Sequence, residues 1–177
     1  MNILLFGISN VGKTTTGELL AQRLGQRFYD LDAEVIKYYN VTLEEFVTTE
    51  TVYGRDKKRG QVIKHIMNKP EDKVFVISPI YYAKNLNRYI DRADVIAIEL
   101  QDSPENIFER LVFSDQNDVS YKDDEYKNSH KKYYISEIKK DITYYKRSLL
   151  KVTNKFHMNN DSPETVVEHL ITKFNLL

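Results

Sequence analysis

Apolar residues along this chain follow two rhythms. Short unbroken runs, of which Ile3-Leu4-Leu5-Phe6 is the first, predict five strands at 2–6, 27–31, 74–77, 95–100 and 155–159. Between these runs apolar positions return at steps of three and four residues, the period of a helix that buries one face. The alternation predicts an α/β fold in which a parallel sheet is covered by helices.

Several helix starts are legible. Thr42-Leu43-Glu44-Glu45 has capping-box spacing ahead of Phe46 and Val47. Ser103-Pro104-Glu105 and Ser162-Pro163-Glu164 each put serine at the N-cap, proline at the first helical position and an acid in the first turn. A long helix is expected over 131–152, with Ile135, Ile138, Ile142, Tyr145 and Leu149 on one stripe and Lys139 and Lys140 on a solvated face. The stretch 114–129 differs: it is polar, lacks glycine and proline, and carries Asp115, Asp118, Asp123, Asp124 and Glu125 beside Lys122 and Lys127, as expected of a lid.

The chemistry begins directly after the first strand. Gly7-Ile8-Ser9-Asn10-Val11-Gly12-Lys13-Thr14-Thr15 is a complete phosphate-binding loop. Gly7 and Gly12 let consecutive backbone N–H groups turn inward, Lys13 can reach the β- and γ-phosphates, and the Thr14 hydroxyl suits Mg²⁺. A helix over 15–24 would add its positive end to the anion site. This string predicts binding of a nucleoside triphosphate. Asp30 and Asp32 stand one strand period apart at the end of the second strand, where open α/β sheets bind ligands. One carboxylate for a metal and one for a nucleophile would serve phosphoryl transfer, although two turn-forming aspartates at a strand end would read the same way.

Composition narrows the partners. The 177 residues form one domain, 1–177, with 26 basic and 26 acidic side chains that cancel, so no general positive field draws in nucleic acid. No apolar run approaches a membrane span, and a chain entering a strand at Asn2 is not expected to carry a cleaved leader. The absence of cysteine excludes disulfides and thiolate metal sites and fits a cytoplasmic setting. The expected state is a monomer. His65, His130, His157 and His169 have no metal-ligand spacing and read as structural. Adjacent tyrosines at 38–39, 81–82, 133–134 and 144–145 point opposite ways, one ring inward and one outward; Tyr81 and Tyr82 either pack in this manner or line an acceptor pocket.

Beyond the loop, Leu20-Ala21-Gln22-Arg23-Leu24-Gly25, Phe28-Tyr29-Asp30-Leu31-Asp32, Leu43-Glu44-Glu45-Phe46 and Arg55 follow in an order that resembles the shikimate kinase family of small P-loop kinases. The resemblance implies a three-layer P-loop kinase fold: a five-stranded parallel sheet of order 2-3-1-4-5, helices on both faces, an acceptor-binding region at 32–60 and a lid at 113–130. It implies transfer of the γ-phosphoryl group of MgATP to a hydroxyl of a small, anionic acceptor, shikimate or another. Asp30 then matches the metal-holding position beside Thr14, and Asp32 the residue that binds and deprotonates the acceptor hydroxyl. Arg55 matches a carboxylate-binding arginine, Arg110 and Pro163 flank the adenine, and Arg147 lies near a late substrate arginine.

The pattern breaks at three places. Ser78-Pro79-Ile80 stands where the family has a glycine triplet, so side chains occupy that space and Pro79 lacks an N–H. Asn117 and Asp118 stand where the lid carries Arg-Pro, and Lys146 and Arg147 only approximate the late arginine. Arginine fingers in comparable transfers contribute about 10³–10⁵ in rate, so either Lys122, Lys127, Lys131 or Lys132 substitutes, or the acceptor differs, or catalysis has decayed. Two further readings remain open: a nucleotide-binding module with decayed catalysis, and a kinase acting on nucleotides or nucleic-acid ends.

Overall fold

The computed structural model describes residues 1–115, 117 and 119–177, with Asn85 described by its backbone only. The first apolar run forms β1 (Asn2–Phe6), buried along its whole length. It pairs in parallel with β3 (Lys73–Val76) on one side and β4 (Val95–Gln101) on the other. Outside these lie β2 (Arg27–Asp30) and β7 (Asn154–His157), giving the order β2-β3-β1-β4-β7. Counted over the five predicted strands, this is the expected order 2-3-1-4-5.

A strand covered on both faces needs no polar alternation, which is why these strands read as unbroken apolar runs. Ile3 and Leu5 of β1 enter one core with Val74, Val76, Ile98 and Leu100, while Leu4 and Phe6 enter the other with Phe75, Ile77 and Ala97. The first core is closed by α1 (Lys13–Leu24), α6 (Pro104–Glu109), α8 (Lys131–Tyr145) and α9 (Pro163–Phe174), through Leu20, Phe108, Ile138 and Leu170. The second is closed by α2 (Leu31–Tyr39), α3 (Leu43–Thr49), α4 (Val52–Met67) and α5 (Lys84–Ile90), through Val35, Phe46, Ile63 and Leu86.

The caps form as their spacing requires. Thr42 and Glu45 exchange side chain-to-backbone hydrogen bonds of 2.8 and 3.1 Å at the start of α3. Ser103 and Ser162 accept from the amides of Asn106 and Thr165 at 3.1 and 3.3 Å. Each adjacent tyrosine pair leaves one ring exposed, Tyr38, Tyr82, Tyr133 and Tyr144, with its neighbour less so.

One expectation is corrected. The helix expected over 131–152 ends at Tyr145, and residues 146–151 continue as turns. Hydrogen bonds from Leu149 N to Tyr145 O (3.2 Å) and from Val152 N to Leu149 O (3.1 Å) hold Leu149 and Val152 against the core, so the apolar spacing persists although the helix does not. Within the stretch expected as a lid, β5 (Phe113–Ser114) and β6 (Ser120–Tyr121) pair antiparallel, followed by α7 (Asp124–Ser129).

Where α1 packs on the sheet, Gly17 leaves no room for a side chain. A Cβ there would lie 2.6 Å from Val76 Cγ2 and 3.0 Å from Phe28 Cε2. Gly17→Ala gains up to about 1 kcal/mol in helix propensity, against roughly 1–3 kcal/mol or more for overpacking a core with no room to yield. Clash prevails, and thermal unfolding should show a Tm lowered by several degrees; an unchanged or raised Tm would show that the helix can move away at no cost.

Candidate active site

The carboxyl ends of the parallel strands share one edge, and the loop Gly7–Thr14 leaves that edge from β1. Its backbone is left-handed at Gly7 (φ 146°), Asn10 (φ 61°) and Gly12 (φ 107°). Gly7 cannot be replaced, since a Cβ would sit 2.7 Å from the Leu100 carbonyl oxygen. The side chain of Val11 is fully buried in the core, so only its backbone is available to a ligand.

Lys13 opens α1 and is only 8% exposed. Its ammonium donates to the carbonyl of Ile8 at 2.8 Å and so closes the loop on itself. Burial pulls its pKa down to about 8, against the raising pull of Asp32 and then Asp30. The Thr14 hydroxyl is 2.7 Å from Asp30 Oδ2, while Asp30 Oδ1 accepts from the amides of Asp32 (3.0 Å) and Ala33 (3.4 Å). Asp30 is therefore the N-cap of α2. This corrects the strand reading: β2 stops at Asp30, and Asp32 belongs to the first helical turn, not to a shared strand face. Both still border a cavity of about 160 Å³ with Ser9, Asn10, Lys13, Thr14, Ser78 and Pro79. A hydroxyl and a carboxylate held together, with room for phosphate oxygens, form an oxygen-donor set that fits Mg²⁺.

A second cavity, of about 470 Å³, runs along the other side of the loop. Asn10, Gly12, Lys13, Thr14, Thr15, Arg110, Val112, Met158, Asp161 and Pro163 line it. Arg110 and Pro163, far apart in sequence, thus meet at one cavity. Arg110 Nη2 donates to Asp102 Oδ2 at 2.6 Å and to Asn160 Oδ1 at 3.2 Å, which fixes the guanidinium plane. Burial would push Asp102 up, but hydrogen bonds from Asn106, Arg110 and the amides of Ser103 and Asn160 outweigh it and hold the carboxyl below its ordinary range.

The expected acceptor arginine lies elsewhere. The Arg55 guanidinium donates to the Val47 carbonyl and borders neither of these cavities. Arg59, one helical turn on, stands beside Asp32: its Nη2 is 3.5 Å from Asp32 Oδ1 and its Nη1 3.4 Å from Asp56 Oδ1. Arg55 and Arg59 share a face of α4 by spacing, so only the three-dimensional path of the helix separates them. Arg147 borders a third cavity, of about 510 Å³, with Tyr81, Tyr82, Lys84 and Lys151. Of the lid lysines, Lys127 donates to the Glu109 carbonyl (3.2 Å) and Lys131 pairs with the Glu109 carboxylate (3.5 Å). Lys122 and Lys132 have no hydrogen bond or ion pair among the described residues. Asn117 N donates to Asp115 at 2.8 Å, and Asp118 lies outside the described residues.

Asp56, Arg59 and Asp102 are site residues that sequence reasoning missed. Only Asp102 carried a signal, as an acid at the carboxyl end of a predicted strand. Among the described residues no group of three histidine or acidic side chains could hold a metal, and no helix is long and apolar enough to cross a membrane.

The burial of Lys13 has a measurable cost. Its proton is held less tightly folded (about 8) than unfolded (10.5), so the penalty is fully present below pH 8 and fades as pH rises toward 10.5. Lys13→Met should raise the Tm of the nucleotide-free protein at pH 7 by several degrees, and the gap should narrow between pH 8 and 10. A gap that stays constant with pH would show that the lysine's charge is not its source.

The comparisons with known proteins agree with this geometry. The family model for shikimate kinase matches residues 9–175. A shikimate kinase of Bacillus pumilus (strain SAFR-032) is 50% identical over 44 residues, which cover 25% of this chain and 24% of that protein. One from Neisseria meningitidis serogroup C (strain 053442) is 31% identical over 110 residues, 61% of this chain and 63% of the relative, so the matches span less than two thirds of these curated relatives. The solved shikimate kinase from Acinetobacter baumannii in complex with shikimate superposes with a TM-score of 0.69 at 21% identity, over 99% of this chain and 95% of that one, a likeness of fold. With the family model matched from Ser9 to Asn175, the chain belongs to the shikimate kinase family.

Proposed function

We propose that this chain is an ATP-dependent phosphotransferase that carries the γ-phosphoryl group of MgATP to a hydroxyl of shikimate or a small acceptor of similar size. The observation that carries the reading is the convergence of Lys13, the Thr14–Asp30 pair and Asp32 on one cavity beside the phosphate loop. Family membership and the names of the relatives point the same way.

The roles follow from the atoms. Backbone N–H groups of Gly7 to Thr15 face the phosphates, and Lys13 leaves the Ile8 carbonyl to meet them. Thr14 and Asp30 would hold Mg²⁺, which offsets charge on the transferring group when bound. Asp32 accepts the acceptor's hydroxyl proton and aims its oxygen, while Arg59 stabilises the carboxylate beside it. Arg110, clamped by Asp102, and Pro163 form the walls for the base. The segment 113–130 closes over the nucleotide, and Lys122 or Lys132, both without a partner among the described residues, supplies the cation that the lid lacks. The acceptor region is 32–60, the chain acts as a monomer, and its setting is the cytoplasm.

The test follows phosphorylated product directly in mixtures of protein, MgATP and shikimate, with Lys13→Ala in parallel. Product that vanishes in the variant is the expected result. No product from shikimate or a panel of small hydroxyl acceptors, with ATP bound normally, would replace the reading with a binding module. Asp32→Asn should lower kcat by about 10²–10⁴ and leave nucleotide affinity within about threefold. Unchanged turnover would remove Asp32 from the chemistry.

A further inference from the structure

Beside Asp32 the chain has assembled a grip for a carboxylate and given it to one of its own side chains. Asp56, on α4, is only 3% exposed. Its Oδ2 accepts from two consecutive amides, Tyr81 N at 3.0 Å and Tyr82 N at 2.9 Å, and its Oδ1 faces Arg59 Nη1 at 3.4 Å. Two adjacent backbone N–H groups and a guanidinium are donors that a bound carboxylate requires.

We propose that Asp56 is a resident carboxylate filling the place where an acceptor's carboxylate would be gripped, so that the pocket selects its acceptor by hydroxyl groups. The proposal rests on the reading of the Asp32 cavity as the acceptor pocket. Arg59 is already shared between Asp32 and Asp56, leaving this trio a net negative charge that repels a second anion. Arg55 is spent on the Val47 carbonyl. Arg147 and Lys84 border a cavity that has no lining residue in common with the Asp32 cavity. Bordering the same cavity are Asp32 and Ser78, whose buried Oγ has no hydrogen-bond partner among the described residues and so keeps its hydrogen-bonding capacity for a ligand hydroxyl. The favoured class is a small polyol, with a carboxylate tolerated but not gripped.

Calorimetric titration of the MgADP-saturated protein with shikimate and with its methyl ester tests this, because the two ligands share their hydroxyls and differ in charge. The unaltered protein should bind the ester at least as tightly as the acid. Asp56→Ala, which frees Arg59 and both amides, should shift the acid-to-ester affinity ratio at least tenfold toward the acid. Asp56→Asn removes the charge while keeping the shape, and guards against a variant that fails to fold; it should shift the ratio about threefold the same way. A tenfold preference of the unaltered protein for the acid would overturn the proposal. So would a ratio that is the same in all three proteins, or binding of neither ligand to a folded Asp56→Asn. Binding needs no turnover, so the expected ratios without phosphoryl transfer would remove the kinase reading alone, and transfer with a flat ratio would remove this inference alone.

Discussion

Parallel pairing of the five strands is the constraint on which the rest of this structure depends. Strands that run the same way must each be followed by a crossover, and right-handed crossovers place helices on both faces of the sheet. All carboxyl ends then meet at one edge, and no backbone of a neighbouring strand fills the space beyond it. Gly7 follows β1, Asp30 ends β2, Ser78 lies just past β3, Asp102 follows β4, and Met158 follows β7. Residues separated by more than 150 positions reach two adjoining cavities because they hold equivalent places in five similar units.

Within that edge, polar groups are joined to one another before any ligand arrives. Asp30 ties the start of α1 to the start of α2, using one oxygen for the Thr14 hydroxyl and the other for the amides of α2. Asp102 does the same for the other cavity, binding the start of α6, Arg110 and Asn160. Neither carboxylate is held by a single partner, so each side chain has one orientation before any ligand binds.

How much of this was legible depends on whether the determinant was local. The buried strands announce themselves because apolar residues on both faces leave no alternation, and the caps because serine or threonine must stand three residues before the amide it meets. The phosphate loop is legible because its glycines, lysine and threonine act through neighbouring backbone. Asp56 and Arg59 were not, since their partners, Tyr81, Tyr82 and Asp32, lie 25 to 27 positions away in sequence, and a helix face shows only its period. The family pattern points to Arg55, while Arg59, one turn on, is the arginine that stands beside Asp32, because charge runs such as Arg55-Asp56-Lys57-Lys58-Arg59 look uniform until packing distinguishes them. The end of α8 was lost for the opposite reason: turns at 146–151 reproduce the helical spacing of Leu149.

The folded loop keeps a cation from water in readiness for a ligand that neutralises it. Among the described residues the Lys13 ammonium makes one hydrogen bond, to the Ile8 carbonyl, and the charges of Asp32 and Asp30 do not offset its burial; under the proposed function, nucleotide phosphate would add the missing counter-charge. Binding therefore adds stability by mass action and removes an internal penalty as well. A cell's proteases act on the small population that opens, so the empty chain is the form cleared first. Under the proposed function, the abundance of this protein would thereby follow the supply of its nucleotide, a consequence of one buried ammonium that reaches beyond the chemistry it serves.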